Sequence, residues 1–173
     1  LSRLIEPLLK EQSKDGSWTL MAENGRLPVM DAPPGITTLT LLALTLPEAT
    51  RTEAARAGRD KGIAWLKSAA KGDSHQTLAL NLLLDHRLGK PATELQPAIQ
   101  QLLKRQNPDG GWSQTVPEPK SDAFATGQTL YVLSLAGFRA DRREMQRGID
   151  FLGSTQKAER RWPVVFRLRP HAH

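Results

Sequence analysis

A seven-residue segment that runs from a glutamine to a tryptophan occurs three times in this chain. It reads QSKDGSW at residues 12–18, QNPDGGW at 106–112 and QKAERRW at 156–162. The second copy lies between two apolar helical runs, which makes it a junction between helices. A junction that recurs at intervals of this kind is typical of a repeat protein, in which copies of one supersecondary unit stack on each other.

Hydrophobic periodicity predicts seven helices separated by turns that contain Gly or Pro. The predicted ranges are 1–12, 36–46, 51–70, 74–88, 92–106, 122–136 and 141–155. Residues 36–46 have high strand propensity, but the equivalent residues of later repeats are plainly helical, so a helix is expected there too. Residues 13–35 are predicted as a loop, and Pro7 is expected to weaken the middle of the first helix.

Alignment of the repeats defines the unit. QTL at 128–130 matches QTL at 76–78, and IDFL at 149–152 matches IAWL at 63–66. Each unit therefore consists of an amphipathic outer helix, a junction and a more apolar inner helix. One copy is degenerate, because Ala70 takes the place of the glutamine and no tryptophan follows it.

The junction residues have a structural interpretation. The glutamine amide can satisfy backbone groups that helix ends leave unpaired, and Asp-Gly or Gly-Gly supplies a tight reversal with positive φ. The indole is expected to lie against the glutamine and the neighbouring repeat. This interpretation assigns six residues to structure: Gln12, Trp18, Gln106, Trp112, Gln156 and Trp162.

These segments resemble the QW motifs of squalene and oxidosqualene cyclases and, more broadly, the repeat of terpenoid cyclases and protein prenyltransferase β-subunits. The copies at 12–18 and 106–112 fit well, whereas 156–162 replaces the acidic-Gly turn with Glu-Arg-Arg. The resemblance covers the chain to about residue 162 and implies an all-α fold, an α/α toroid of helical hairpins. Seven helices are too few to close such a toroid, so an incomplete one with exposed apolar flanks is expected.

The resemblance also implies a catalytic acid. In triterpene cyclases an Asp at the start of an inner helix protonates the substrate, and Asp122 alone matches that position. An active enzyme would be an isomerase of the terpene cyclase type that cyclises an isoprenoid. The competing interpretation is that Ser121 or Asp122 caps the helix. The candidate residues for the ligand cavity are Phe124, Gln128, Tyr131, His75 and Gln76.

Composition weakens the cyclase hypothesis and excludes some relatives. A migrating carbocation needs aromatic faces, and of nine aromatic residues only Phe124 and Tyr131 are placed to line a cavity. The chain has no cysteine, which excludes the zinc site of prenyltransferases and a thioester. No cofactor or metal is expected, and His75 is expected to be a satisfied residue at a helix start.

The positive charge is concentrated at the C-terminus. The net charge is +6, and residues 157–173 hold five basic residues against one acidic residue, which leaves only +2 for the rest. We expect 1–156 to form the repeat domain and 157–173 a basic, solvated tail outside the repeat packing. The alternative for the tail is contact with an anionic membrane surface or with nucleic acid; no specific nucleic-acid groove is predicted.

Three hypotheses for function follow from the sequence. One is a squalene-cyclase-like domain that binds or cyclises an isoprenoid. The second is a non-catalytic helical-repeat module that binds a protein or an apolar ligand. The third is a module that contacts a membrane surface through its basic tail. No run of eighteen apolar residues occurs, so the chain is expected to be soluble or peripheral to a membrane. Because it begins at Leu1, we expect a piece of a longer protein, whose flanks pack on the rest of the toroid or on a second copy.

Overall fold

A computed structural model describes residues 2–19, 33–69, 74–114 and 120–163 of the chain. The regular structure in these ranges is helical, which confirms the predicted all-α fold class and the seven predicted helices. They are α1 (Ser2–Lys10), α2 (Pro33–Leu44), α3 (Glu53–Ser68), α4 (His75–Arg87), α5 (Ala92–Lys104), α6 (Ala123–Leu135) and α7 (Arg143–Thr155). A 3-10 turn, Ala49–Arg51, precedes α3.

One predicted boundary is corrected. The predicted loop does not extend to residue 35, because α2 begins at Pro33; proline suits the first helical turn, where its missing N–H would have no partner. Pro7 lies inside α1 without interrupting it. The lost hydrogen bond is tolerated because the helix is held by its neighbours: Ile5 is buried in the core, and the Leu8 carbonyl accepts a bond from Trp18.

The helices are arranged as three hairpins, α2–α3, α4–α5 and α6–α7. Helix α4 packs against both α2 and α6, so the first helices of the hairpins lie side by side as an inner layer. The second helices, α3, α5 and α7, form the outer layer, and α1 packs beside α3. In the described part of the chain, no helix is long and apolar enough to cross a membrane.

Polar side chains fix the register between the inner helices. The Thr38 hydroxyl of α2 lies 2.7 Å from both Asn81 Oδ1 of α4 and the Pro34 carbonyl oxygen, between which its one hydrogen is divided. On the other side of α4, His75 Nε2 lies 2.6 Å from Thr129 Oγ1 of α6. Apolar surfaces alone would allow the helices to slide along each other, whereas these buried polar pairs are satisfied in one alignment.

Candidate functional site

The glutamine of each of the first two junctions links its turn to the next outer helix. Gln12 Nε2 donates to the Gly16 carbonyl in the turn (2.9 Å) and to the Gly58 carbonyl in α3 (2.8 Å). The second junction repeats both bonds, from Gln106 Nε2 to the carbonyl oxygens of Gly110 (2.9 Å) and Glu144 (2.7 Å). The amide therefore links the turn to the next outer helix, instead of bonding only to backbone groups at the end of its own helix.

The tryptophan makes a hydrogen bond that was not predicted from the sequence. In all three junctions the indole N–H donates to the carbonyl ten residues earlier: Trp18 to Leu8 (2.7 Å), Trp112 to Leu102 (2.7 Å) and Trp162 to Leu152 (2.9 Å). Trp18 and Trp112 are buried, and Trp112 is fully inaccessible, whereas Trp162 is 37% exposed. The first two tryptophans are thus core residues that join helix, turn and neighbouring repeat.

Glycines in the outer helices provide the space for these indoles. A Cβ at Gly62 of α3 would lie 2.7 Å from Trp18 Cζ3, and a Cβ at Gly148 of α7 would lie 2.9 Å from Trp112 Cζ3. Neither glycine was predicted from the sequence to have this role. A glycine inside a helix costs up to about 1 kcal/mol relative to alanine. A glycine in the middle of a predicted helix was therefore the sequence signal that could have indicated a packing role.

The third junction keeps the backbone turn without the glycine. Arg160 has a φ of +57° where Gly16 and Gly110 have +103° and +91°. Lys157 N donates to the Arg161 carbonyl at 2.9 Å, as the equivalent residues of the first two turns do. This agrees with the looser third copy expected from QKAERRW; Gln156 is exposed. The predicted tail boundary at 156/157 falls within this turn, and residues 164–173 lie outside the described residues.

Asp122 is the N-cap of α6. Its Oδ1 accepts the Ala125 backbone N–H at 2.9 Å, and its own N–H donates to the Trp112 carbonyl at 3.0 Å. The side chain is buried. Trp112 N donates to Thr126 Oγ1 at 2.9 Å, so the start of α6 is fastened to the second junction. Capping, the competing interpretation from the sequence, is the geometry observed.

The structure places the predicted cavity residues in different environments. Phe124 and Tyr131 of α6 are 44% and 54% exposed. Gln76 is buried, and Gln128 is half-buried with an Oε1 that has no hydrogen-bond partner among the described residues. His75 is buried in the α4–α6 contact.

The protonation of His75 follows from its neighbour. The Thr129 hydroxyl donates its only hydrogen to the Ala125 carbonyl at 2.7 Å, so it accepts from His75 and Nε2 carries the proton. Burial, followed by the positive charge of Arg105, lowers the pKa of His75 to about 4. The ring is therefore neutral at physiological pH and works as a buried hydrogen-bond donor.

Acid should destabilise the fold through His75. The ordinary pKa of 6.5 applies to the unfolded chain, which therefore binds more protons than the folded chain between pH 6.5 and about 4. The contribution of His75 to the free energy of unfolding is on the order of 3 kcal/mol. It is complete above pH 6.5 and is lost as the pH falls to about 4. Urea unfolding at pH 7.5 and 4.5 measures it, and His75→Gln should flatten the dependence.

His86 provides the matched control for this experiment. It is an exposed histidine on the same helix, so His86→Gln should leave the wild-type pH dependence in place. Equal pH dependence in the wild type and His75→Gln would contradict the assignment to His75.

A groove lies between the outer helices α3 and α5, above α4, with a volume of about 620 Å³. Leu66, Leu78, Pro97 and Ala98 form its apolar walls. The charged residues divide between its ends because α4 and α5 are antiparallel. Two acidic residues, Asp85 and Glu94, line one end, and two basic residues, Lys104 and Arg105, line the other.

None of the predicted cavity residues lines this groove, although it has the volume of a ligand site. Residues of two hairpins, α2–α3 and α4–α5, line the groove. No local pattern in the sequence therefore indicates it. Asp85 is paired with Lys90 at 2.8 Å, which leaves Glu94 as the acidic side chain with the greater exposure at that end.

No protein-family profile matches this chain, and no curated protein sequence matches it.

Proposed function

We propose that this chain is a non-catalytic helical-repeat module that binds an extended peptide segment of a partner protein in the groove between α3, α4 and α5. The observation that carries the proposal is the groove itself, with apolar walls and oppositely charged ends. Repeat proteins commonly bind their partners on extended surfaces to which several stacked repeats contribute, and residues of two hairpins line this groove.

The chemistry of the groove favours a peptide over a bare isoprenoid. A hydrocarbon would cover Glu94 and Lys104 without offering them a hydrogen bond, and burying unpaired polar or charged groups costs several kcal/mol or more. A peptide can place apolar side chains against Leu78 and Ala98 and charged side chains at both ends. The expected segment has a basic residue at the Asp85–Glu94 end and an acidic residue at the Lys104 end.

Gln101→Trp tests the proposal by filling the groove. Gln101 is exposed on α5 and lines the groove, so an indole there should occupy the space of the ligand. The probe is a labelled decapeptide with lysine at one end, leucine and alanine in the middle and glutamate at the other, measured by fluorescence polarisation. We expect binding to weaken at least tenfold, equivalent to about 1.4 kcal/mol.

Gln100→Trp is the matched control, because Gln100 is an exposed glutamine on the same helix outside the groove lining. It should bind the probe as the wild type does. Equal affinity in all three proteins would refute the groove as the site, and competition by farnesol but not by unlabelled peptide would favour an apolar ligand instead.

The second candidate function is the cyclase-like one, and the position of Asp122 at the N-terminus of the inner helix α6 favours it. Here Asp122 would protonate an isoprenoid, and Phe124 and Tyr131 on the same helix would face the cation. Asp122→Asn isolates this chemistry because asparagine caps helices as well as aspartate does.

We expect Asp122→Asn to change the stability by only a few tenths of a kcal/mol, and Asp122→Ala to cost about 1 kcal/mol through loss of the cap. Squalene turnover by the wild type that disappears in a folded Asp122→Asn protein would support the cyclase. Turnover that persists in this variant would exclude Asp122 as the acid.

A further inference from the structure

Asn81 is a polar residue at a position that is apolar in the next inner helix. The QTL alignment pairs it with Leu133 of α6, which is buried. Asn81 is only half-buried, and it lines the groove between α3, α4 and α5. Leucine suffices for packing at this position in α6, so the amide of Asn81 has a role in hydrogen bonding.

The two ends of the Asn81 amide have different surroundings. Oδ1 lies 2.7 Å from the Thr38 hydroxyl of α2, which holds that end between two inner helices. Nδ2 has no hydrogen-bond partner among the described residues, and it is not one of their buried unpaired atoms. The NH₂ group, which carries two donors, is therefore accessible on a residue that lines the groove.

The position of Asn81 along α4 relates it to the rest of the groove. Leu78, Asn81 and Asp85 are spaced by three and four residues, so they share one side of the helix, and all three line the groove. Asn81 lies about 6 Å from Asp85 along the helix axis. An extended peptide advances roughly 3.3 Å per residue, so about two of its residues span that distance.

We propose that Asn81 binds the backbone of the peptide in the groove. Its Nδ2 donates to a backbone carbonyl within about two residues of the basic residue that reaches the Asp85–Glu94 end. The inference rests on the proposed peptide binding, and it specifies the conformation of the ligand. A helix uses its carbonyls internally except for the last four, whereas a single extended segment makes no such internal hydrogen bonds. Asn81 therefore selects an extended segment that runs along α4.

Ester substitution of the probe tests this hydrogen bond. Each amide bond of the labelled decapeptide is replaced in turn by an ester, whose carbonyl is a weaker acceptor, and binding is measured by fluorescence polarisation. We expect one ester near the lysine to weaken binding to the wild type about fivefold, the effect of one neutral hydrogen bond. The same ester should change binding to Asn81→Leu by less than about twofold, because the donor is already absent.

Two further variants separate this contact from a structural role. Asn81→Leu keeps a partner for the Thr38 hydroxyl, since the Pro34 carbonyl lies 2.7 Å from it, and Asn81→Ala, which adds no bulk, should show the same insensitivity to the ester. Thr38→Val is the matched control. It removes the hydroxyl beside Asn81 Oδ1 from outside the groove lining and keeps the amide. It should therefore retain the ester sensitivity of the wild type.

The possible results distinguish this inference from the peptide site itself. Equal losses from every ester in the wild type and in both Asn81 variants, with binding still weakened by Gln101→Trp, would exclude Asn81 and leave the groove as the site. Coupling of Asn81 to an N-methylated bond, which keeps the carbonyl but lacks the N–H, would also overturn the proposal, because Asn81 would then be the acceptor. A probe whose binding Gln101→Trp does not affect would refute the groove and this inference together.

Discussion

Trp112→Ala is expected to lower the free energy of unfolding by about 4 kcal/mol, within the range for removing a buried tryptophan or phenylalanine. Trp112 is fully buried, and its Cζ3 lies where a side chain at Gly148 would otherwise be. Truncation leaves a cavity between the second junction and α7. It also leaves the Leu102 carbonyl without the indole N–H that lies 2.7 Å away.

The third junction supplies the control for this prediction. Trp162 donates the same hydrogen bond, to Leu152 at 2.9 Å, but it is partly exposed. Its substitution by alanine should therefore cost about 1 kcal/mol, the value of a typical hydrogen bond with little cavity cost. Urea unfolding followed by circular dichroism compares the two variants. Similar losses would show that Trp112 does not join the hairpins through packing.

Gly110→Ala should cost about 3 kcal/mol or more, because two independent penalties add. The residue has a φ of +91°, where an L-residue with a Cβ costs roughly 1–2 kcal/mol. The added Cβ would also lie 2.5 Å from the Arg147 carbonyl oxygen of α7, and overpacking of that kind costs typically about 1–3 kcal/mol. Relief requires the turn to move away from α7, which strains both bonds of Gln106.

Gly137→Ala separates the two penalties. Gly137 has a φ of +83°, and a Cβ added to it would have no atom within 4 Å. Only the backbone term applies, so a loss of about 1 kcal/mol is expected. Thermal or urea unfolding of both variants measures the difference. If Gly137→Ala were as destabilising as Gly110→Ala, the close approach of the second junction to α7 would not contribute to stability.

Arg160 shows that the turn itself requires a positive φ, whereas the close contact between the turn and the next outer helix arises from the packing of the hairpins. It adopts a positive φ at the place of Gly16 and Gly110, and it is exposed. A side chain is tolerated there because the third junction projects into solvent. In the first two junctions the glycine is required, since the next outer helix passes directly over the turn.

Local sequence determined much of this protein. The helices other than α2 follow from apolar patterns bounded by Gly and Pro, whereas α2, whose residues favour a strand, follows from comparison with the later repeats. The junction turns follow from the Gln-to-Trp segments with their glycines. The Asp122 cap follows from a polar residue directly before an apolar run. Each of these features depends on interactions within a few residues, which a local pattern can encode.

The tertiary structure decided the rest, because the deciding contacts join residues far apart in the chain. Only the packing of the hairpins shows that Gln12 and Gln106 bond to the next outer helix, that Gly62 and Gly148 make room for indoles, and that His75 is neutral against Thr129. The groove between α3 and α5 depends on which neighbours each helix has, and the pattern of a single helix does not specify its neighbours.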